Sequence, residues 1–121
     1  MESEDRVFSL VTAFIKALPA RTPYSELYTA LSAFPTKREE FRYTLEVALN
    51  AIRDLTLIRS SVEGEMLFFK DRATAEAAVS SISLKRLNDI FRILLSAIED
   101  TDKNVLTAAL ITDLSLRIKQ T

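Results

Sequence analysis

Residues 81–121 read SISLKRLNDIFRILLSAIEDTDKNVLTAALITDLSLRIKQT, and the architecture follows from how these residues must be covered. Leu84, Leu87, Ile90, Phe91, Leu94, Leu95 and Ile98 recur at spacings of three and four, the period of a helix with one wide side turned away from water. A polar elbow, Glu99-Asp100-Thr101-Asp102-Lys103-Asn104, follows. A second run then begins at Leu106 and continues through Leu110, Ile111, Leu114 and Ile118, apolar over more than one stripe. Two helices of this kind, with no catalytic residue types between them, point to a packing or assembly module rather than to a pocket.

Composition bounds the rest. With 121 residues, 48% of them hydrophobic and 27% charged, the chain is expected to form one domain spanning 1–121 and to bury roughly two-thirds of the surface its unfolded form exposes. One glycine and three prolines leave few places to break a helix or turn a hairpin, so the predicted class is all-α, a bundle of five to six helices. The absence of cysteine removes disulfides, thiolate metal sites and thiol nucleophiles, and the absence of histidine removes the commonest general base. The start is acidic, at Glu2, Glu4 and Asp5, and no apolar run approaches the roughly 20 residues a bilayer needs, so no signal peptide and no membrane partner are expected and the default location is cytoplasmic. A net charge of −1 with interspersed signs gives no extended positive field, and little or no direct nucleic-acid binding is expected.

Along the chain, Glu2 to Leu18 reads as a first helix with Val7, Phe8, Val11, Phe14, Ile15 and Leu18 inward. Thr22 before Pro23 is the predicted cap of a short second helix, Pro23 to Ala33. Thr36 with Glu39 fits a capping box that opens a long third helix, Lys37 to about Ser60, with Phe41, Leu45, Ala48, Leu49, Ile52 and Leu55 on its stripe. The only glycine, Gly64, interrupts the pattern, and Met66-Leu67-Phe68-Phe69 is expected to be a short extended segment laid against the core. A weaker helix, Arg72 to Ser81, offers Ala73, Ala77 and Val79 for close contact. Ser83 is the expected cap of the fifth helix, and Asn104 or Asp102 that of the sixth, Val105 to Lys119.

No catalytic scheme gathers support. A phosphate cradle needs several glycines, and a serine nucleophile without histidine needs a lysine partner for which there is no signal. Paired carboxylates such as Glu39-Glu40, or Glu99 with Asp102 or Asp113, read as capping and solubility groups. Neither enzymatic activity, nor a cofactor, nor a metal is expected. Arg53 and Asp54 stand side by side in the otherwise apolar run Ala51 to Ile58, where they need either an intramolecular ion pair, solvent at the helix rim, or contact with another subunit. The helix order with apolar runs around Gly64 also admits a winged helix with a small β-hairpin. Its recognition helix would then expose Glu39, Glu40, Glu46 and Asn50 beside Lys37, Arg38 and Arg42, poor chemistry for a phosphate-lined groove.

Four pieces taken in order carry a family resemblance: Lys37-Arg38-Glu39-Glu40-Phe41, then Ala51 to Ile58 with its Arg53-Asp54 pair, then Phe68-Phe69-Lys70-Asp71-Arg72, then the closing helix pair with Asn104-Val105 at its elbow. Together they resemble the C-terminal collar domain of the bacterial DNA polymerase III clamp loader subunit delta prime, and are similar to the matching region of the gamma and tau subunit. The chain departs from that pattern at Ala51-Ile52, where the family often has an aromatic, and at Leu106, where it has a second asparagine. The resemblance implies a helical collar domain whose ATPase modules, which precede it in the family, lie outside this chain. It implies a non-catalytic, oligomerising role in DNA replication, holding the loader together while sliding clamps are loaded. The partners would be the other loader subunits, gamma/tau and delta. Carried over by position, Arg53, Asp54 and Asn104 take structural or interface roles; Leu106 and Leu110 join them as interface candidates on the apolar run of the last helix.

Overall fold

A computed structural model describes residues 3–121, which form six helices and, among those residues, no strand. They are α1 (Glu4–Lys16), α2 (Tyr24–Ser32), α3 (Arg38–Arg59), α4 (Arg72–Val79), α5 (Leu84–Asp100) and α6 (Thr107–Lys119). The all-α reading holds, and the β-hairpin of a winged helix does not form. The expected start of α1 at Glu2 lies outside the described residues. No helix is long and apolar enough to cross a membrane among those residues.

The longest helix, α3, is the strut. At 22 residues it spans about 33 Å, and Phe41, Leu45, Ala48, Ile52 and Leu55 on its stripe are fully buried. It packs most extensively on α5 and also on α1 and α4, while α6 packs on α2 and α5. One hydrophobic core runs through all six helices. Phe34, in the loop after α2, stands edge-on to Phe14 of α1 at 6.1 Å and to Phe41 of α3 at 6.3 Å. That edge-to-face chain joins the first three helices at one end.

Helix ends correct several expectations. Ser83 caps α5 as expected, its Oγ accepting the Arg86 N–H at 3.1 Å. The Thr36–Glu39 capping box does not form, because α3 starts one residue later with Lys37 at the cap; the Thr36 carbonyl accepts the Thr107 hydroxyl at 3.0 Å. Pro23, not Thr22, occupies the cap of α2, and the Thr22 carbonyl accepts Lys119 Nζ at 2.7 Å. Neither Asn104 nor Asp102 caps α6. Asp102 is paired with Arg42 of α3, and the helix begins at Thr107 behind Leu106, which has no side-chain acceptor to offer. In α4, Asp71 is the cap and fixes the register so that Ala75 and Val79 face inward, leaving Ala73 and Ala77 exposed.

The buried hydroxyls are satisfied locally. Thr44, Thr101 and Ser115 return their hydroxyls to carbonyls three or four residues back. Arg86, unremarked in the sequence, is buried with its Nε on the Leu18 carbonyl at 3.0 Å and its Nη1 on the Thr121 carbonyl at 2.9 Å and the Thr121 hydroxyl. It ties the end of α1 to the end of α6, and burial pulls its pKa below the usual guanidinium value. Spacing places it on the inward face, since Arg86, Ile90, Ile93 and Ala97 recur at intervals of four, three and four.

α3 stops in a full Schellman motif: the Ser61 N–H donates to the Ile58 carbonyl at 3.1 Å and the Val62 N–H to the Leu57 carbonyl at 2.9 Å. Ser61 accordingly has a φ of 56°, the left-handed region in which a side chain is strained and glycine is not. Ser61→Gly is expected to raise stability by about 0.5–1 kcal/mol, read as a higher urea midpoint at unchanged slope. A second prediction concerns Asp71. Its carboxyl is held below the ordinary carboxylate range by the Thr74 N–H and hydroxyl, each at 2.8 Å. A depressed folded-state pKa contributes stability above the unfolded value of about 3.9 that is lost as pH falls through the folded value. Protection of the α4 amides, taken relative to their intrinsic exchange rates, should therefore fall below about pH 4, and Asp71→Asn should remove that pH dependence.

Candidate interaction surface

Residues 62–71 connect α3 to α4 without helix or strand and lie across α3. Met66 and Phe68 are half-buried and Phe69 is buried, so the run lies against the core as expected, but residues 67–71 form a succession of bends instead of the expected extended segment, turning three successive N–H groups towards one carboxylate while Leu67 points out. Asp54 holds this segment. Fully buried on α3, it accepts the Leu67 N–H on Oδ1 at 2.9 Å and the Phe68 and Phe69 N–H groups on Oδ2 at 2.7 and 3.1 Å. Arg53 Nη1 completes the arrangement with bonds to Asp54 Oδ1 at 3.2 Å and to the Glu65 carbonyl at 2.5 Å. A buried carboxylate with four donors is a satisfied one. Of the arrangements open to this pair, the internal ion pair is the one realised, and the Asp54 carboxylate is used within the chain.

The remaining expected site residues divide. Leu110 is 6% exposed and belongs to the core, because α6 turns it inward with Ile111, Leu114 and Ile118. Asn104 is exposed, and Leu106 is 79% exposed, the most open large apolar side chain among the described residues. Val105 beside it is also open. The elbow presenting them is held to the start of α3 by the Arg42–Asp102 pair and by the Thr107 bond to Thr36.

The sequence stripe of α5 is covered only in part. Leu87, Ile90, Leu94 and Ile98 are buried, joined by Ile93 and Ala97, but Leu84 and Leu95 remain 38% and 40% exposed and Phe91 is half-covered. At about 100° per residue, Leu84, Phe91 and Leu95 fall within an arc of about 40° at the edge of the buried side. They form a ridge along three turns. Its outer flank is polar: Asp89 pairs with Lys85 at 2.8 Å and Arg92 at 3.4 Å, and the Lys85 bond, with both charges, holds the Asp89 carboxyl below its usual range. An apolar line with a charged border is the composition of an interface core and rim.

Surface grooves are shallow and chemically mixed. One between α1 and α2, about 340 Å³, is lined by Ala13, Ala17, Ser25, Thr29 and Ala30 with Lys16 and Glu26. Another of about 410 Å³ lies beside Lys85, Asp89, Arg92 and Arg117, whose carboxylate and ammonium or guanidinium groups are mutually paired or, for Arg117, paired with Asp113. Neither brings carboxylates together. Compared with protein-family models, with curated proteins and with solved structures, the chain matches none.

Leu106 and Leu110 separate surface from core across the start of α6. Leu106→Ala should change unfolding free energy by no more than about 0.5 kcal/mol, whereas Leu110→Ala should lower it by about 2–5 kcal/mol, both measured by urea denaturation.

Proposed function

We propose that this chain is a non-catalytic assembly domain of the collar type, holding subunits of a bacterial DNA polymerase III clamp loader together during sliding-clamp loading. The observation that carries the reading is the uncovered ridge Leu84, Phe91 and Leu95 on α5, accompanied by Leu106 at the elbow of the closing helix pair. A helix whose apolar side is wider than its intramolecular neighbours cover gains by association, since burying apolar area yields about 25 cal/mol per Å². A subunit contact of standard size covers about 800 Å² on each partner, and the ridge supplies its apolar centre.

The resemblance set out above gives the partners their identity: gamma/tau and delta subunits, reached through the closing helices. Within that reading Arg53 and Asp54 act structurally, ordering residues 65–69, and Asn104 and Leu106 stand at the subunit boundary. Leu110 supports α6 from inside. The charged border of Lys85, Asp89 and Arg92 contributes to partner choice more than to affinity.

The test combines the purified chain with gamma/tau and delta subunits and follows complex mass by light scattering. The wild-type chain should enter a complex. Leu95→Asp with Leu106→Asp should weaken entry at least tenfold, about 1.4 kcal/mol, while the helical circular dichroism stays unchanged. A wild-type chain that remains strictly monomeric in the presence of those subunits contradicts the proposal.

A further inference from the structure

We infer that residues 63–70 are a strap that opens as a unit, with Asp54 as its latch and the end of the Ser61-Val62 turn as its hinge. Among the described residues, no main-chain to main-chain hydrogen bond involves any position from 63 to 70. The polar hold on the strap is concentrated in two side chains instead: Asp54 on the Leu67, Phe68 and Phe69 amides, and Arg53 on the Glu65 carbonyl. Both ends of the strap are self-contained. The Schellman motif closes α3 before it, and the Asp71 cap opens α4 after it, so the strap can lift without unwinding either helix. Ser61 sits in a strained conformation at the first of these ends.

Apolar contact on the strap is confined to its second half. Phe68 stacks on Phe8 at 4.8 Å with 19° between the rings, and meets Phe69 edge-on at 5.1 Å. Val62, Glu63, Gly64, Glu65 and Leu67 are exposed. Gly64 is the exception to looseness in this half: a β-carbon there would stand 2.8 Å from Leu57 Cδ1, so the chain passes close over α3. Leu67 and Phe68 form one wall of a groove of about 250 Å³ whose other wall is Val7, Phe8, Tyr43 and Val47. Lifting the strap removes that wall, bares the Phe8 ring, and brings Phe69 from the core to the surface. Apolar contact limited to Met66, Phe68 and Phe69, no main-chain ladder and a localised polar anchor are the properties of a segment that opens below the global unfolding free energy. The latch therefore sets whether an aromatic patch on α1 and α3 is covered. The inference stands apart from the assembly proposal, since no ridge or elbow residue takes part in it.

Native-state amide exchange on the full chain tests the strap. In the wild type the Leu67, Phe68 and Phe69 amides should exchange at least a hundredfold faster than those of Leu45 to Ile52 in α3. Asp54→Asn keeps the volume but places an amide donor against at least one strap N–H whichever way it is turned. It should speed strap exchange at least tenfold further, leaving the centres of α3 and α5 unchanged. Arg53→Gln, which retains the carboxylate, should give a smaller increase at the same amides. Strap amides as slow as the α3 centre in the wild type, or a rise spread evenly over the molecule in either variant, overturn the inference; so does an Asp54→Asn chain that fails to fold, because Asp54 would then belong to the global core.

Discussion

The pairing of α3 with α5 sets every other position in this molecule. One face of α3 is filled by Phe41, Leu45, Ala48, Ile52 and Leu55, all fully buried, and the matching face of α5 by Leu87, Ile90 and Leu94. Once that contact is made, α1 and α4 complete the cover of α3, and α6 closes a second side of α5. The supply of helices then runs out before the apolar surface of α5 does. Leu84, Phe91 and Leu95 are the residue of that mismatch, and they lie in line because the helical period puts them there.

Polar anchors seat the last helix rather than stabilise the core broadly. Arg86 reaches from α5 to the Leu18 carbonyl and to Thr121, Lys119 reaches back to the Ala20 and Thr22 carbonyls, and Thr107 reaches Thr36. Each uses a side chain to satisfy a carbonyl at a helix end or loop, where the helix itself leaves acceptors without donors. α6 is thereby fixed at both ends, and the elbow before it presents Val105 and Leu106 in a defined place. A fixed apolar loop loses less conformational freedom on association than a mobile one.

The helices themselves were legible in the sequence because their cause is periodic and local. Five to six were expected and six are present among the described residues, with the interior of α3 correctly filled apart from the half-buried Leu49. What periodicity could not supply was the competition for each end group. Thr36, Thr22 and Asp102 all look like caps, yet Lys37 and Pro23 take the cap positions of α3 and α2, and the Asp102 carboxylate is claimed by Arg42, 60 positions away. The apolar run of α5 was read as one wide side, and only the arrangement of its neighbours separates the covered from the open residues. For Leu106 and Leu110 the same run of α6 suggested one surface; the later helix start and the inward turn place them on opposite sides of the boundary. Arg53 and Asp54 were recognisable as a pair needing satisfaction, but their partners are a main-chain carbonyl and three amides 12 to 15 residues on, which no side-chain pattern marks.

Side-chain footprinting tests directly the proposal that the open edge of α5 and the elbow are a subunit contact. Hydroxyl-radical modification of Leu84, Phe91, Leu95 and Leu106 would be compared for the chain alone and in the presence of gamma/tau and delta subunits, with exposed Tyr28 of α2 as the internal reference. Strong protection of the four residues with Tyr28 unchanged is the predicted result. Equal modification of all four in both samples would contradict it.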